Sequence, residues 1–163
     1  MTPGPGRART TAAGLLAAGL PLGLCAAGCA AGPPPGCARP SPVSAVRSPH
    51  GTGTAGAEVR GTGHGARLWG LLMLPYRTPL IRAGDQVKIA WRMTGTGPLR
   101  LTATAPDGRT RPLAQGPERH ATSSYHRPGD EWGAQYRFDR PGCWHLRAAR
   151  TRVTADVWLT VTA

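Results

Sequence analysis

The sequence predicts an all-β fold, an antiparallel two-sheet sandwich of about seven short strands. Three observations predict it. From Ala66 onward apolar residues alternate at period two, the pattern of strands half-buried against a core. Turn signals interrupt the alternation about every 8–12 residues, the rhythm of sandwiches and barrels. No stretch repeats its apolar residues at helical spacing.

The elements follow in order. Leu68, Gly70, Leu72 and Leu74 share one parity of a first strand, and Trp69, Leu71 and Met73 the other. Gly84-Asp85 turns the chain. Val87, Ile89, Trp91 and Met93 then alternate with Lys88, Ala90 and Arg92, a half-buried strand. Gly95-Thr96-Gly97-Pro98 turns into Leu99, Leu101 and Ala103. Pro106-Asp107-Gly108 is a hairpin signal, because glycine takes positive φ without steric cost. A weaker strand covers Thr110 to Ala114, and Gln115 to Glu131 reads as a long polar loop. Ala134, Tyr136 and Phe138 alternate next. Asp139-Arg140-Pro141-Gly142 turns into a strand from Cys143 to Ala148 with Trp144 and Leu146 on one face. Val157, Leu159 and Val161 form the last strand. Residues 66–163 are thus expected to form an immunoglobulin-like antiparallel β-sandwich, with a small barrel as the alternative.

Upstream the texture differs. Residues 29–65 carry GPPPG, ARPSP and GTGTAG, with Val43, Val46 and Val59 as the only large aliphatics. That composition predicts a disordered linker, since it buries too little apolar surface to offset ordering entropy. A free chain of that length would reach roughly 30–35 Å. Its histidines, His50 and His64, would then have no fixed geometry. Further upstream, Arg7 and Arg9 precede an apolar run from Ala12 to Ala27, which ends in Ala26-Ala27-Gly28-Cys29. Basic, then apolar, then small residues is the layout of an export signal, here residues 1–28. The run is short for a bilayer span, which takes about 20 residues.

AAGC at the end of such a run resembles the lipobox of bacterial lipoproteins. That resemblance implies cleavage before Cys29, lipid on Cys29, and a place on the extracytoplasmic face of the cell membrane. Plain secretion after cleavage at Ala-x-Ala, or an uncleaved anchor, is the alternative. A competing site at Cys25 follows the bulky Leu24 and fits worse. Removal of Cys25 and acylation of Cys29 would leave Cys37 and Cys143, either one disulfide or two unpaired thiols in an oxidising compartment.

The chain carries a net charge of +12, and all of its 20 basic residues but Lys88 are arginine. Loss of Arg7 and Arg9 with the signal leaves about +10. With the Ala, Gly and Pro bias, this resembles a protein of a GC-rich, actinobacterial-type genome. The arginines are scattered and not interleaved with aromatics, so a nucleic-acid partner is not expected. Anionic lipid headgroups or a cell-wall polyanion suit the charge better. An envelope protein or a glycan is also compatible.

The segments Lys88 to Gly95, His120 to Ser123, Gly129 to Gly133 and Phe138 to Trp144 resemble a shared pattern of uncharacterised bacterial secreted lipoproteins. The pattern runs KI-x-WR-M-TG, H-x-x-S, G-x-EWG, F-x-x-PGCW. The likeness spans the expected domain and implies no particular activity. F-x-x-PG before an aromatic strand also recurs in extracellular immunoglobulin-like modules, where it makes the last hairpin.

Most of the remaining chemistry gathers in HATSSYHRPGDEWG, where His120, Tyr125, His126, Asp130, Glu131 and Trp132 form a candidate binding loop. Two imidazoles and a carboxylate could hold copper or zinc, but H-x5-H is not a recognised ligand spacing and no third histidine is near. Ser124, His126 and Asp130 could imitate a hydrolase triad, but nothing marks an oxyanion hole. The plain expectation is a surface loop in which Trp132 tucks against the sandwich while Asp130 and Glu131 pair with arginines. Loops at a sandwich end also carry recognition. Trp91 and Trp144 read as core. Trp69 and Trp158 lie opposite the main apolar parity and would form an exposed patch unless both faces of their strands are covered. Met73 and Met93 read as core filler rather than copper ligands. The functional expectation is a lipid-anchored binding or structural module at the cell envelope, neither an enzyme nor a cofactor carrier. The alternative is an extracytoplasmic metal-binding protein using His120 and His126.

Overall fold

The computed structural model describes residues 36–46, 56–74, 80–121 and 125–163. Among these the chain is strand and turn throughout. The strands are β1 (Val43–Val46), β2 (Gly56–Arg60), β3 (Thr62–His64), β4 (Leu68–Met73), β5 (Ile81–Arg82), β6 (Gln86–Met93), β7 (Arg100–Thr104), β8 (Thr110–Arg111), β9 (Gln115–His120), β10 (Asp130–Arg137), β11 (Gly142–Ala149) and β12 (Thr154–Thr162). One sheet has the order β1-β2-β4-β6-β10-β9. The other has β3-β12-β11-β7-β8, with β5 running parallel to β12.

The inner part of this arrangement, β4-β6-β10-β9 against β12-β11-β7-β8, is the immunoglobulin-type sandwich. Alternation puts Val87, Ile89, Trp91 and Met93 of β6 inward, opposite Trp144 and Leu146 of β11 and Val157, Leu159 and Val161 of β12. An aromatic chain runs through this core. The Trp91 indole donates to the Tyr136 hydroxyl at 3.0 Å. Tyr136 stacks on Phe138, and Phe138 meets Trp144 edge to face at 5.1 Å. Burial holds the Tyr136 hydroxyl well above its ordinary pKa. Trp144 Nε1 donates to the Arg140 carbonyl at 3.0 Å, fixing the turn into β11. An indole here does the work of the tyrosine corner of immunoglobulin domains.

Three expectations are corrected. Among the described residues the strands number twelve rather than about seven. Gln115 to Glu131 is not all loop: β9 occupies Gln115–His120 and β10 begins at Asp130. β9 (QGPERH) carries no large apolar residue and stays largely exposed, as an edge strand paired to β10 alone. The third correction concerns the expected linker, residues 29–65, where the described stretches 36–46 and 56–65 belong to the sandwich. β1 and β2 extend the first sheet beyond β4. β3 pairs with the start of β12, so His64 lies in a strand. Between β3 and β5 on the outer edge of β12, Ser41 N donates to the Trp158 carbonyl and Ser41 Oγ accepts from Trp158 N. Three short pieces thus satisfy one edge in series, which also blunts it against pairing with another chain. The described stretches 36–46 and 56–65 carry little apolar surface of their own; Ala57 and Val59 are their buried hydrophobics. Backbone hydrogen bonding to existing strands holds them, and composition does not record that.

Cys37 and Cys143 are joined, with sulfurs 2.04 Å apart, across 106 residues. The bridge ties the N-terminal arm to the first turn of β11. We expect Cys37→Ser to lower unfolding free energy by about 2–4 kcal/mol, read as a lower denaturant midpoint. A chain beginning at Ala66 should lose more than this, because the edges of β4 and β12 open as well. A second expectation concerns Gly70, which faces inward on β4. A Cβ there would stand 2.7 Å from the Trp91 ring and 3.0 Å from Ile89. Gly70→Ala should destabilise by about 1–3 kcal/mol through overpacking, with the fold retained by circular dichroism.

Candidate functional site

Turns β6–β7, β9–β10 and β11–β12 meet at one end of the sandwich, the end that carries recognition loops in immunoglobulin variable domains. One buried arginine joins them. Arg150, 4% exposed, closes β11. Its Nε donates to the Gly97 carbonyl at 2.9 Å and its Nη1 to the Met93 carbonyl at 2.9 Å. Its Nη2 reaches Asp130 Oδ2 at 2.6 Å. Its guanidinium also lies 4.6 Å from the Trp132 ring centre, a cation–π contact. Every nitrogen of this buried cation therefore has an acceptor, which is the condition for burying it. Arg119 takes the other Asp130 oxygen at 3.2 Å. The Arg150 bond, then the Arg119 bond, holds the Asp130 carboxyl below its usual range against a partial burial effect.

A second network covers the outer face of the first sheet. Register aligns Arg60, Trp69, Arg92, Glu131 and His120 in one row across β2, β4, β6, β10 and β9. Arg92 Nε donates to Glu131 Oε2 at 2.9 Å, and Arg92 Nη1 to the Gly129 carbonyl at 2.9 Å. The segment Tyr125 to Gly129 lies over this face. Tyr125 donates to Glu58 Oε2 at 2.8 Å, and Arg127 grips both Glu58 oxygens. Glu58 lies on β2, three strands from β10, about 14 Å at normal strand spacing. The segment is therefore a strap across the sheet. Burial, then the Glu58 contact, pushes the Tyr125 hydroxyl far above its ordinary pKa. Gly129 has φ +96, and a Cβ there would stand 2.2 Å from the Met93 carbonyl oxygen, so only glycine brings the strap down this close.

The residues expected in the binding loop are thus divided among roles. Tyr125 anchors the strap and His126 sits exposed on it. Asp130 and Glu131 are held by arginines, and Trp132 points inward beneath Arg150. His120 Nδ1 stands 3.5 Å from Glu131 Oε1. Glu131 already binds Arg92, so it is a poor third ligand for a metal held by His120 and His126. Among the described residues no group of three or more His, Cys, Asp or Glu side chains is placed to hold a metal ion. Met93 is buried in the core as expected, but Met73, at the end of β4, is 46% exposed and is not core filler. Ser123, Ser124, His50 and Cys29 lie outside the described residues, and the triad idea loses Asp130 to Arg150 in any case.

Sequence reasoning left the Trp69–Trp158 patch open, and the two residues lie in different sheets. Trp69 is 8% exposed although it faces outward, because the strap side of β4 is covered. Trp158 is 39% exposed and stacks on His145 with ring centres 4.0 Å apart. His145 Nε2 in turn meets Asp156 Oδ1 at 2.7 Å. Trp158 also rims a groove of about 380 Å³ between the N-terminal arm and β5, lined by Pro40, Pro42, Val43, Leu80 and Ile81. Sequence reasoning missed this groove and Arg150, since both arise from segments far apart in the chain.

Comparison of the chain with protein-family models, with curated proteins and with solved structures finds no match.

Two expectations follow from Arg150. Arg150→Met keeps the stem but strips donors from two carbonyls and Asp130; it should cost about 2–4 kcal/mol in a denaturant titration. The second concerns pH. The Asp130 pKa is lower folded than unfolded, so its stabilisation is present above about pH 4 and disappears as pH falls through the folded value. Asp130→Asn should therefore lose stability near neutral pH, and its stability should fall less than that of the parent between pH 5 and pH 2.

Proposed function

We propose that this chain is a lipid-anchored β-sandwich that acts as a binding or structural module on the extracytoplasmic face of the cell membrane. The observation that carries this reading is the Cys37–Cys143 tie, which begins a short way past Cys29. A disulfide persists in an oxidising compartment, so the fold relies on chemistry met after export. The same tie shortens the tether. Only Ala30 to Gly36 separates the acylated cysteine from the domain, at most about 28 Å from Cys29 to Cys37. The domain then stays close to the bilayer instead of at the end of a long linker.

A polyanion of the wall is the partner chemistry that the surface favours. Glu58, Asp107, Asp130, Glu131, Asp139 and Asp156 each pair with an arginine of the same domain. The remaining positive charge stays in solvent, including exposed Arg67, Arg100 and Arg152 at the end clamped by Arg150. That end lies opposite the turn into β11 where the tether attaches. Rigid loops carrying surplus cations lose little entropy on meeting a charged chain.

Cell fractionation tests the anchor. Cys29→Ala should move the protein from membranes to the soluble or secreted fraction; equal membrane retention would refute acylation at Cys29. Binding to isolated cell walls tests the partner. It should weaken as salt rises from about 0.05 to about 0.5 M, and the double variant Arg67→Ala with Arg152→Ala should weaken it severalfold at low salt.

A further inference from the structure

We propose that the groove beside Trp158 is a membrane-docking face, by which the domain rests on the bilayer that holds its anchor. This rests on the reading of Cys29 as the lipid-bearing residue. Among the described residues the exposed large hydrophobics are Val43, Met73, Leu80 and Trp158. Three of these, Val43, Leu80 and Trp158, rim this one groove. Val43 and Leu80 are 41% and 49% exposed. The floor is apolar as well, with Leu72, Ile81 and Leu159. A cluster of this kind on an otherwise arginine-rich surface calls for an apolar partner.

The chain itself says which partner. One wall of the groove is the arm Pro40 to Val43, the direct continuation of the tether. Cys37 N donates to Thr160 Oγ1, and Thr160 also lines the groove. The lipid is thus attached to the segment that builds the groove, and the tether reaches no more than about 28 Å from Cys37. The groove therefore lies within tether reach of the membrane interface whenever the anchor is inserted. Its rim has the chemistry of that interface. An indole with one face occupied by His145 and its remainder open is the side chain most at home at headgroup level. Exposed Arg39 on the arm supplies a cation for anionic headgroups. Docking by this face leaves the Arg150-clamped loops clear of the bilayer for another partner. It also converts a loose tether into a defined orientation, since one lipid anchor and one interfacial face act together.

The test uses protein purified from membranes, with mass spectrometry to establish the acyl group on Cys29. Absence of that group removes the anchor reading and the docking proposal with it. The acylated protein is placed in vesicles of phosphatidylcholine and phosphatidylglycerol, with or without bromine on the upper acyl chain. Brominated lipid should quench the emission of the parent, and Trp158→Phe should lose the lipid-dependent part of that quenching. Leu80→Glu, a change at a half-exposed site, should reduce the quenching while thermal melting in detergent stays unchanged. Equal quenching in parent and Trp158→Phe, or quenching indifferent to Leu80→Glu, overturns the proposal. So does a soluble Cys29→Ala protein that dimerises and is made monomeric by Leu80→Glu, which would assign the groove to a second copy.

Discussion

The covalent and hydrogen-bonded attachment of the N-terminal arm is the constraint on which the rest of this molecule depends. An immunoglobulin-type sandwich leaves open edges, and open edges cost unpaired backbone groups and invite association. Here residues rich in Gly, Pro, Thr and Ala fill those edges. β1 and β2 widen one sheet, while β3, Ser41 and β5 take turns along β12. Such residues contribute little by burial. They stay because each adds hydrogen bonds to a strand already in place, and because the disulfide removes much of the entropy that the arm would otherwise regain.

Arg150 plays a comparable part at the far end. A buried guanidinium is tolerable only when its donors are met, and here two carbonyls of the β6–β7 turn and a carboxylate of the β9–β10 turn meet them. The geometry follows from the donor set. Because the planar fork points in fixed directions, the three turns have one mutual arrangement. The strap from Tyr125 to Gly129 extends the same logic across the outer face of the first sheet, where Glu58 and Glu131 are buried but paired. Most of the carboxylates of the domain are bound into such internal contacts, and the outer surface is strongly basic because arginines outnumber them.

The two ends of the sandwich are consequently different in character. One carries the Cys37–Cys143 bridge and lies beside an apolar groove with an exposed tryptophan. The other is a rigid, cationic cluster of turns. Under the proposed anchoring, these distinct proximal and distal surfaces would suit the domain to link the membrane with something beyond it.

Much of the sandwich was legible in the residues themselves. Alternation in Val87, Ile89, Trp91 and Met93, and in Trp144 and Leu146, specified faces as well as strands, since period two leaves no choice of which side is buried. Turn chemistry at Gly84, Gly95 to Pro98 and Pro106 to Gly108 placed the corners. The pair of cysteines was also visible, although not its bond. What only the tertiary structure decided was anything that depends on a distant partner. β1, β2, β3 and β9 are strands because a neighbour offers free backbone groups, and their own side chains carry no such record. Trp69 is covered and Trp158 is not because a strap crosses one sheet and only the arm borders the other. Arg150 looks like any of the arginines in the sequence. Its role comes from three turns, far apart along the chain, brought within one guanidinium's reach by the closing of the two sheets.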